Sequence, residues 1–270
     1  MQSIEPYFRE VGAGPGVVCV HANASSSSQW RTLMERLAPR FRVLAADSYG
    51  AGKSPPWPKD RTIMLDDEIG LLEPVFARAG DSFALVGHSY GAAVALLAAL
   101  RLPQRIRDLV LYEPTLFALL DAAVPPPNDA DGIRQTAALA ATELAAGGRN
   151  AAAERFIDYW MGAGTWARMP ESRCAPIEAS IVNIQGWATA LLGEPTPLSA
   201  FRSLEVPVLL LTGKNSPASS LGVARLLAQA LPNVRVIELD GLGHMGPITH
   251  PEIVNAAIET FLVSRWENRA

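Results

Sequence analysis

A serine between glycines, four histidines and a turn without an acid are the parts of this sequence that could do chemistry. Gly87-His88-Ser89-Tyr90-Gly91 has the spacing G-x-S-x-G. The spacing has a steric reason. A serine held at a tight strand-to-helix turn takes a strained backbone, and its flanking positions must be glycine because a Cβ there would clash. The Ser89 hydroxyl then projects from the sheet edge. The helix that opens at Tyr90 aims its first N–H groups at any carbonyl oxygen Ser89 attacks. A hydroxyl is a poor nucleophile until a base takes its proton. Four histidines could be that base: His21, His88, His244 and His250. His88 neighbours Ser89 but belongs to the opposite side of its strand. His250 opens the last helical pattern, and His244 lies in the glycine-rich loop Asp240-Gly241-Leu242-Gly243-His244-Met245. The imidazole in turn needs an acid to orient it and to stabilise its charge. The turn Leu211-Thr212-Gly213-Lys214-Asn215-Ser216-Pro217 follows a buried apolar run and would suit an acid, yet no Asp or Glu occurs from Val206 to Ile237. Glu113, Asp240 and Asp47 are the remaining choices.

These side chains need a scaffold that brings distant positions together. Apolar runs rich in Val, Ile and Leu occur at Val17–His21, Val43–Asp47, Phe83–Gly87, Leu109–Tyr112, Val206–Thr212 and Val234–Leu239. Such runs suit strands buried on both faces. Helical patterns separate them, at Gln29–Leu37, Leu65–Ala79, Tyr90–Arg101, Ala218–Ala230 and Pro251–Trp266. Strand and helix in this alternation predict an α/β fold with right-handed crossovers and a mostly parallel sheet. Pro6–Val11 reads as an added antiparallel edge strand. In a parallel sheet Glu113, at the end of its strand and stopped by Pro114, opens on the same rim as Ser89.

The alternation stops between about Thr115 and Phe201. Pro125-Pro126-Pro127 opens this stretch, Pro195 and Pro197 close it, and alanine-rich helical segments fill it at Ile133–Ala146, Ala151–Met161 and Cys174–Leu192. It reads as a helical insertion between two strands. Phe156, Tyr159, Trp160, Trp166 and Trp187 recur there and either pack the insertion on the core or line an apolar pocket.

Taken together, these motifs resemble the α/β-hydrolase fold family over nearly the whole chain outside the insertion. His21-Ala22-Asn23 resembles the family's His-Gly-x oxyanion segment, with Ala22 where Gly is usual. Asp47-Ser48-Tyr49-Gly50-Ala51-Gly52-Lys53-Ser54 resembles its D-x-x-G-x-G-x-S loop. The resemblance implies a core of residues 1–114 and 202–270 with a helical cap at 115–201. It implies Ser89 as nucleophile, His244 as base, and the backbone N–H groups of Asn23 and Tyr90 as the oxyanion hole. Most members carry the acid three residues after a Gly in the turn where this chain has Ser216. Leu111-Tyr112-Glu113-Pro114 is similar to the branch containing haloalkane dehalogenases and a zearalenone-type lactone hydrolase, where the acid follows the preceding strand. That implies Glu113 as the third member, with Asp240 ending its strand and Asp47 holding its own loop.

The implied chemistry is hydrolysis of a carboxylic ester, thioester or lactone through an acyl-enzyme. C–C bond cleavage and cofactor-free perhydrolysis are alternatives on the same residues, and a small-molecule receptor of this fold is an alternative of another class. Dehalogenases and epoxide hydrolases of the fold use a carboxylate nucleophile, and Ser89 is not one. No metal or cofactor is expected. Gly52-Lys53-Ser54 looks like the end of a phosphate-binding loop, but Asp47 stands where its first Gly belongs and Pro55 and Pro56 block the helix that must follow. A net charge of −4 gives no footprint for nucleic acid. The amino-terminal MQSIEPYFRE lacks the pattern of a signal peptide and the densest apolar run, Ala92–Leu100, is too short to span a bilayer. The expectation is a cytoplasmic protein acting on a small, largely apolar molecule, with no membrane or nucleic-acid partner; Cys19 and Cys174 read as ordinary thiols.

Overall fold

Seven strands form a single sheet in the order β1-β3-β2-β4-β5-β6-β7. The computed structural model describes residues 5–58 and 61–267, so the first four residues of the amino-terminal stretch and the last three of the chain lie outside the description. The strands are β1 (Phe8–Val11), β2 (Gly16–Val20), β3 (Arg42–Ala46), β4 (Phe83–His88), β5 (Ile106–Tyr112), β6 (Val208–Gly213) and β7 (Val234–Leu239). β1 pairs antiparallel with β3, and every other pairing is parallel. The fold is therefore the expected α/β arrangement with one antiparallel edge. The apolar runs become strands because both of their faces are covered: every residue of β2, β4 and β6 is buried. β7 is an edge strand and is half exposed.

Helices cover both faces. α1 (Arg31–Leu37) and α11 (Pro251–Glu267) pack on one face, with Leu33, Leu37, Ile258 and Leu262 against Val43, Val86 and Leu209. α2 (Leu65–Ala79) and α3 (Tyr90–Arg101) pack on the other, with Leu72 and Phe76 against Leu85 and Leu96. α9 (Ala218–Ala230) joins β6 to β7. Between β5 and β6 the chain is helical: α4 (Ala118–Ala123), α5 (Asp131–Ala145), α6 (Arg149–Met161), α7 (Glu171–Ser180) and α8 (Ile184–Leu192), with 3-10 turns at Trp166–Arg168, Ile181–Asn183 and Leu198–Ser203. Where the sequence pattern suggested one helix over Cys174–Leu192, the structure has two, broken by the turn at Ile181–Asn183. Two short helices, α4 and α10 (Gly246–Thr249), carry too few residues to show a periodicity in sequence.

The parallel strands all end on one lip. β4 lies beside β5 and β5 beside β6, so the chain after His88, after Tyr112 and after Gly213 emerges side by side.

Candidate active site

Ser89 is held at the turn between β4 and α3 with φ 56° and ψ −116°. Among the described residues only Ala24, Ser89 and Glu113 are non-glycine positions with positive φ, and all three flank the lip. Backbone of this kind costs free energy and persists only where the surroundings enforce it. The glycines explain the enforcement. A Cβ on Gly87 would overlap the Gly91 carbonyl, and one on Gly91 would overlap the carbonyls of Val20 and His21. The Ser89 amide meanwhile donates to the Tyr112 carbonyl at 2.9 Å, fastening the turn to β5.

A continuous hydrogen-bonded line runs from this serine. Ser89 Oγ lies 2.8 Å from His244 Nε2, and His244 Nδ1 lies 2.6 Å from Glu113 Oε2. Glu113 is fully buried and His244 nearly so. The other carboxyl oxygen, Glu113 Oε1, accepts from the Gly213 amide and the Ser216 hydroxyl, each at 2.6 Å. Ser216, at the position where the acid was missed, is thus a donor to Glu113. Asp240 is turned away: it pairs with Lys214 Nζ at 2.7 Å with its side chain 85% exposed. Asp47 holds its own loop, accepting from the amides of Ser27 at 2.6 Å and Lys53 at 2.9 Å.

The other histidines brace the frame. His21 donates from Nδ1 to the Ala22 carbonyl at 2.6 Å and accepts from the Ser48 amide at 3.0 Å. Burial lowers its pKa, which suits a neutral ring that donates on one side and accepts on the other. His88 has a part that its place in the sequence did not disclose. Its Nε2 donates to the His244 carbonyl at 2.8 Å and its Nδ1 accepts from Gln29 Nε2 at 3.1 Å. Gln29 Oε1 accepts from the Ala22 amide at 3.2 Å, so one chain of bonds links the loop after β2 to the loop holding His244. Burial and the adjacent His244 push the His88 pKa well below its ordinary value, consistent with this neutral tautomer. His250 is exposed, its ring meeting Thr249 Oγ1 at 2.9 Å.

Tyr90 follows Ser89 in the chain, and Asn23 comes from the loop after β2. Tyr90 is the first residue of α3, whose N–H has no acceptor within its own helix. Its hydroxyl donates to Glu68 Oε1 at 3.2 Å, while Glu68 Oε2 accepts from the Tyr49 amide at 3.1 Å. Burial raises the Glu68 pKa to about 8. Asn23 lines the same cavity as Ser89 and His244. The left-handed residue of this loop is Ala24, not Ala22, so Ala22 keeps a negative φ and tolerates the Cβ that departs from the Gly usual there.

The cavity above Ser89 has a volume of about 760 Å³. Of the five aromatic residues noted in the insertion, Phe156, Trp160 and Trp187 line it. Tyr159 instead bonds Ser219 Oγ at 2.8 Å and stands edge-on to Trp160, and Trp166 is buried in the core. Trp160 lies over the His244 ring, with centroids 3.9 Å apart and planes 26° from parallel. Only the tertiary structure could disclose that contact, since the two residues come from different lobes of the chain. Among the described residues there is no group of three or more His, Cys, Asp or Glu placed to hold a metal ion, and no helix long and apolar enough to cross a membrane.

Residues 15–251 match the family model described as alpha/beta hydrolase fold. The chain is 28% identical to a 2-(acetamidomethylene)succinate hydrolase of Mesorhizobium japonicum, over 94% of this chain and 90% of that one. It is 27% identical to a pimeloyl-[acyl-carrier protein] methyl ester esterase of Nitrosomonas europaea, over 91% of this chain and 95% of the other. Among solved structures, a thermophilic esterase from Thermogutta terrifontis superposes with a TM-score of 0.74 at 25% identity, covering 96% of this chain and 93% of that one.

Proposed function

This chain belongs to the alpha/beta hydrolase fold family and is a hydrolase of that fold, and on that premise we propose that it cleaves a carboxylic ester or lactone through an acyl-enzyme formed on Ser89. The observation that carries the reading is the unbroken line Ser89–His244–Glu113, with contacts of 2.8 and 2.6 Å at the floor of the cavity. The methyl ester esterase among the relatives supports the ester class.

Ser89 Oγ attacks the carbonyl carbon while His244 Nε2 takes its proton. The imidazolium so formed keeps its Nδ1–H on Glu113 Oε2, whose partner oxygen is already occupied by Gly213 and Ser216. The carboxyl therefore has one orientation, and the ring has one tautomer. The face of Trp160 covers the ring on its cavity side. The oxyanion is received by the amides of Tyr90 and Asn23, each such donor contributing about 3 kcal/mol in the transition state. His244 then gives its proton to the leaving oxygen. Water attacks the acyl-enzyme with the same base, the Ser89–acyl bond breaks, and the acid is released.

A 4-nitrophenyl acetate and butyrate assay tests the reading. Wild type is expected to turn over these esters, and Ser89→Ala is expected to lose kcat on the order of a millionfold. Equal rates in wild type and Ser89→Ala would refute it. Hydrolysis of a C–C bond in a diketone-like acid with no ester turnover would move the assignment to that reaction on the same residues.

A further inference from the structure

The walls of the cavity above Ser89 carry an unbalanced charge. Among its described lining residues the only ionisable groups besides His244 are Arg31, at the start of α1, and Arg173, in α7; no Asp, Glu or Lys lines it. This is not what the composition offers by default, because the chain has 27 acids against 23 basic residues. Both residues are exposed to solvent at the cavity's lining, and neither guanidinium has an ion-pair partner among the described residues, so both are free to meet an anion that enters. The two arginines come from opposite lobes: Arg31 follows the loop that carries Asn23, and Arg173 lies in the helical segment between β5 and β6. The lining also includes the buried apolar side chains of Phe156, Trp160, Ile184 and Trp187.

Resting on the hydrolytic reading of Ser89, we propose that the substrate carries a carboxylate as well as the scissile carbonyl, and that Arg31 and Arg173 recognise it. An apolar wall takes a hydrocarbon stem, and a guanidinium fork matches the two oxygens of a planar carboxylate. Cations facing a cavity without counter-charges also draw an anionic substrate toward the nucleophile. The substrate class is then an ester or lactone that carries a free carboxylate on its acyl or its leaving side, not a neutral ester.

The test compares matched anionic and neutral substrates on the full chain. One pair is mono(4-nitrophenyl) glutarate against 4-nitrophenyl pentanoate, with the charge on the acyl side. The other is 4-carboxyphenyl butyrate against 4-carbamoylphenyl butyrate, with the charge on the leaving group. The anionic-to-neutral ratio of kcat/KM is expected to fall about fivefold for Arg31→Ala and for Arg173→Ala in at least one pair. In wild type alone it is expected to fall with added salt. Ratios that are the same in wild type and in the double variant for both pairs overturn the inference. A second measurement needs no turnover: hexanoate and hexanamide are titrated against the fluorescence of Trp160 and Trp187 in the Ser89→Ala protein. Tighter binding of hexanoate, abolished in Ser89→Ala/Arg31→Ala/Arg173→Ala, is expected; equal affinity for the acid and the amide overturns the inference. Absence of any ester turnover would instead remove the ester reading of Ser89, and the titration would still decide whether the cavity selects an anion.

Discussion

The turns that follow β5 and β6 are neighbours on the lip, and they contribute in two different ways to the one carboxylate that meets the His244 imidazole. The turn after β5 is buried and strained: Glu113 has φ 45°, is followed by a proline, and is fully covered. The turn after β6 is looser, with Lys214 and Asn215 exposed and Ser216 half-buried. Yet the second turn serves the first, through the Gly213 amide and the Ser216 hydroxyl on Glu113 Oε1. What the pair teaches is that two adjacent strand ends share one site. One carries the carboxyl group that meets His244, and the other supplies donors to it.

Within this pair of turns the largest effect should come from removing the Glu113 carboxyl group. Glu113→Ala is expected to lower kcat about ten-thousand-fold, while Asp240→Asn stays close to wild type because its carboxyl faces Lys214 and solvent. Adding Ser216→Asp to Glu113→Ala should recover at least about tenfold, since the new carboxyl starts from the neighbouring turn. Steady-state kinetics on one ester decide this; no recovery, with the fold intact by circular dichroism, would mean the two turns are not equivalent.

Glu68 sharpens the contrast, because it is an equally buried carboxyl with weaker partners, at 3.1 and 3.2 Å and with no imidazole. Below about pH 4.5 its carboxyl is neutral whether the chain is folded or not. Above that it ionises in the unfolded chain but keeps its proton in the folded one until about pH 8. Stability is therefore lost as pH rises through this window, and is lowest above it. Between pH 5 and pH 9, wild type should lose a few kcal/mol more stability than Glu68→Gln. Urea unfolding at several pH values reads this, and parallel curves for the two proteins would contradict it.

The smallest effect concerns the donor itself. Ser216→Ala removes one hydrogen bond to a buried carboxylate but leaves the Gly213 amide, so kcat should fall about tenfold with KM little changed. A loss as large as that of Glu113→Ala would mean that Ser216 does more than hold the acid.

Much of the scaffold was legible without coordinates. Leu65–Ala79, Tyr90–Arg101 and Ala218–Ala230 are helices with the bounds their periodicity suggests, and each apolar run became a strand within a few residues. Among the candidate site residues, Ser89 was the most legible, because its G-x-S-x-G spacing and the clash that demands Gly87 are local, although Gly91 is demanded by the distant carbonyls of Val20 and His21. Glu113 was legible by a different route: its strand end, the lack of an acid from Val206 to Ile237 and the resemblance of Leu111-Tyr112-Glu113-Pro114 to one branch of the family pointed to it together. His88 and Gln29 were not, since neither carries a motif and their link depends on positions 59 residues apart. Nor was the stacking of Trp160 on His244, because an aromatic residue in a helical insertion reads the same whether it fills a core or faces a site.

From its residues alone, then, this protein determines its strands, its long helices and the strained serine turn, all of which follow from sterics and burial patterns over a few neighbouring positions. Tertiary structure alone decides that Ser216 donates to Glu113, that an indole covers the His244 ring, and that two guanidiniums with no ion-pair partner among the described residues line one cavity. Those outcomes depend on which strand ends and helices lie side by side, and pairings across 60 to 155 residues are set by strand order and packing, which no local pattern encodes.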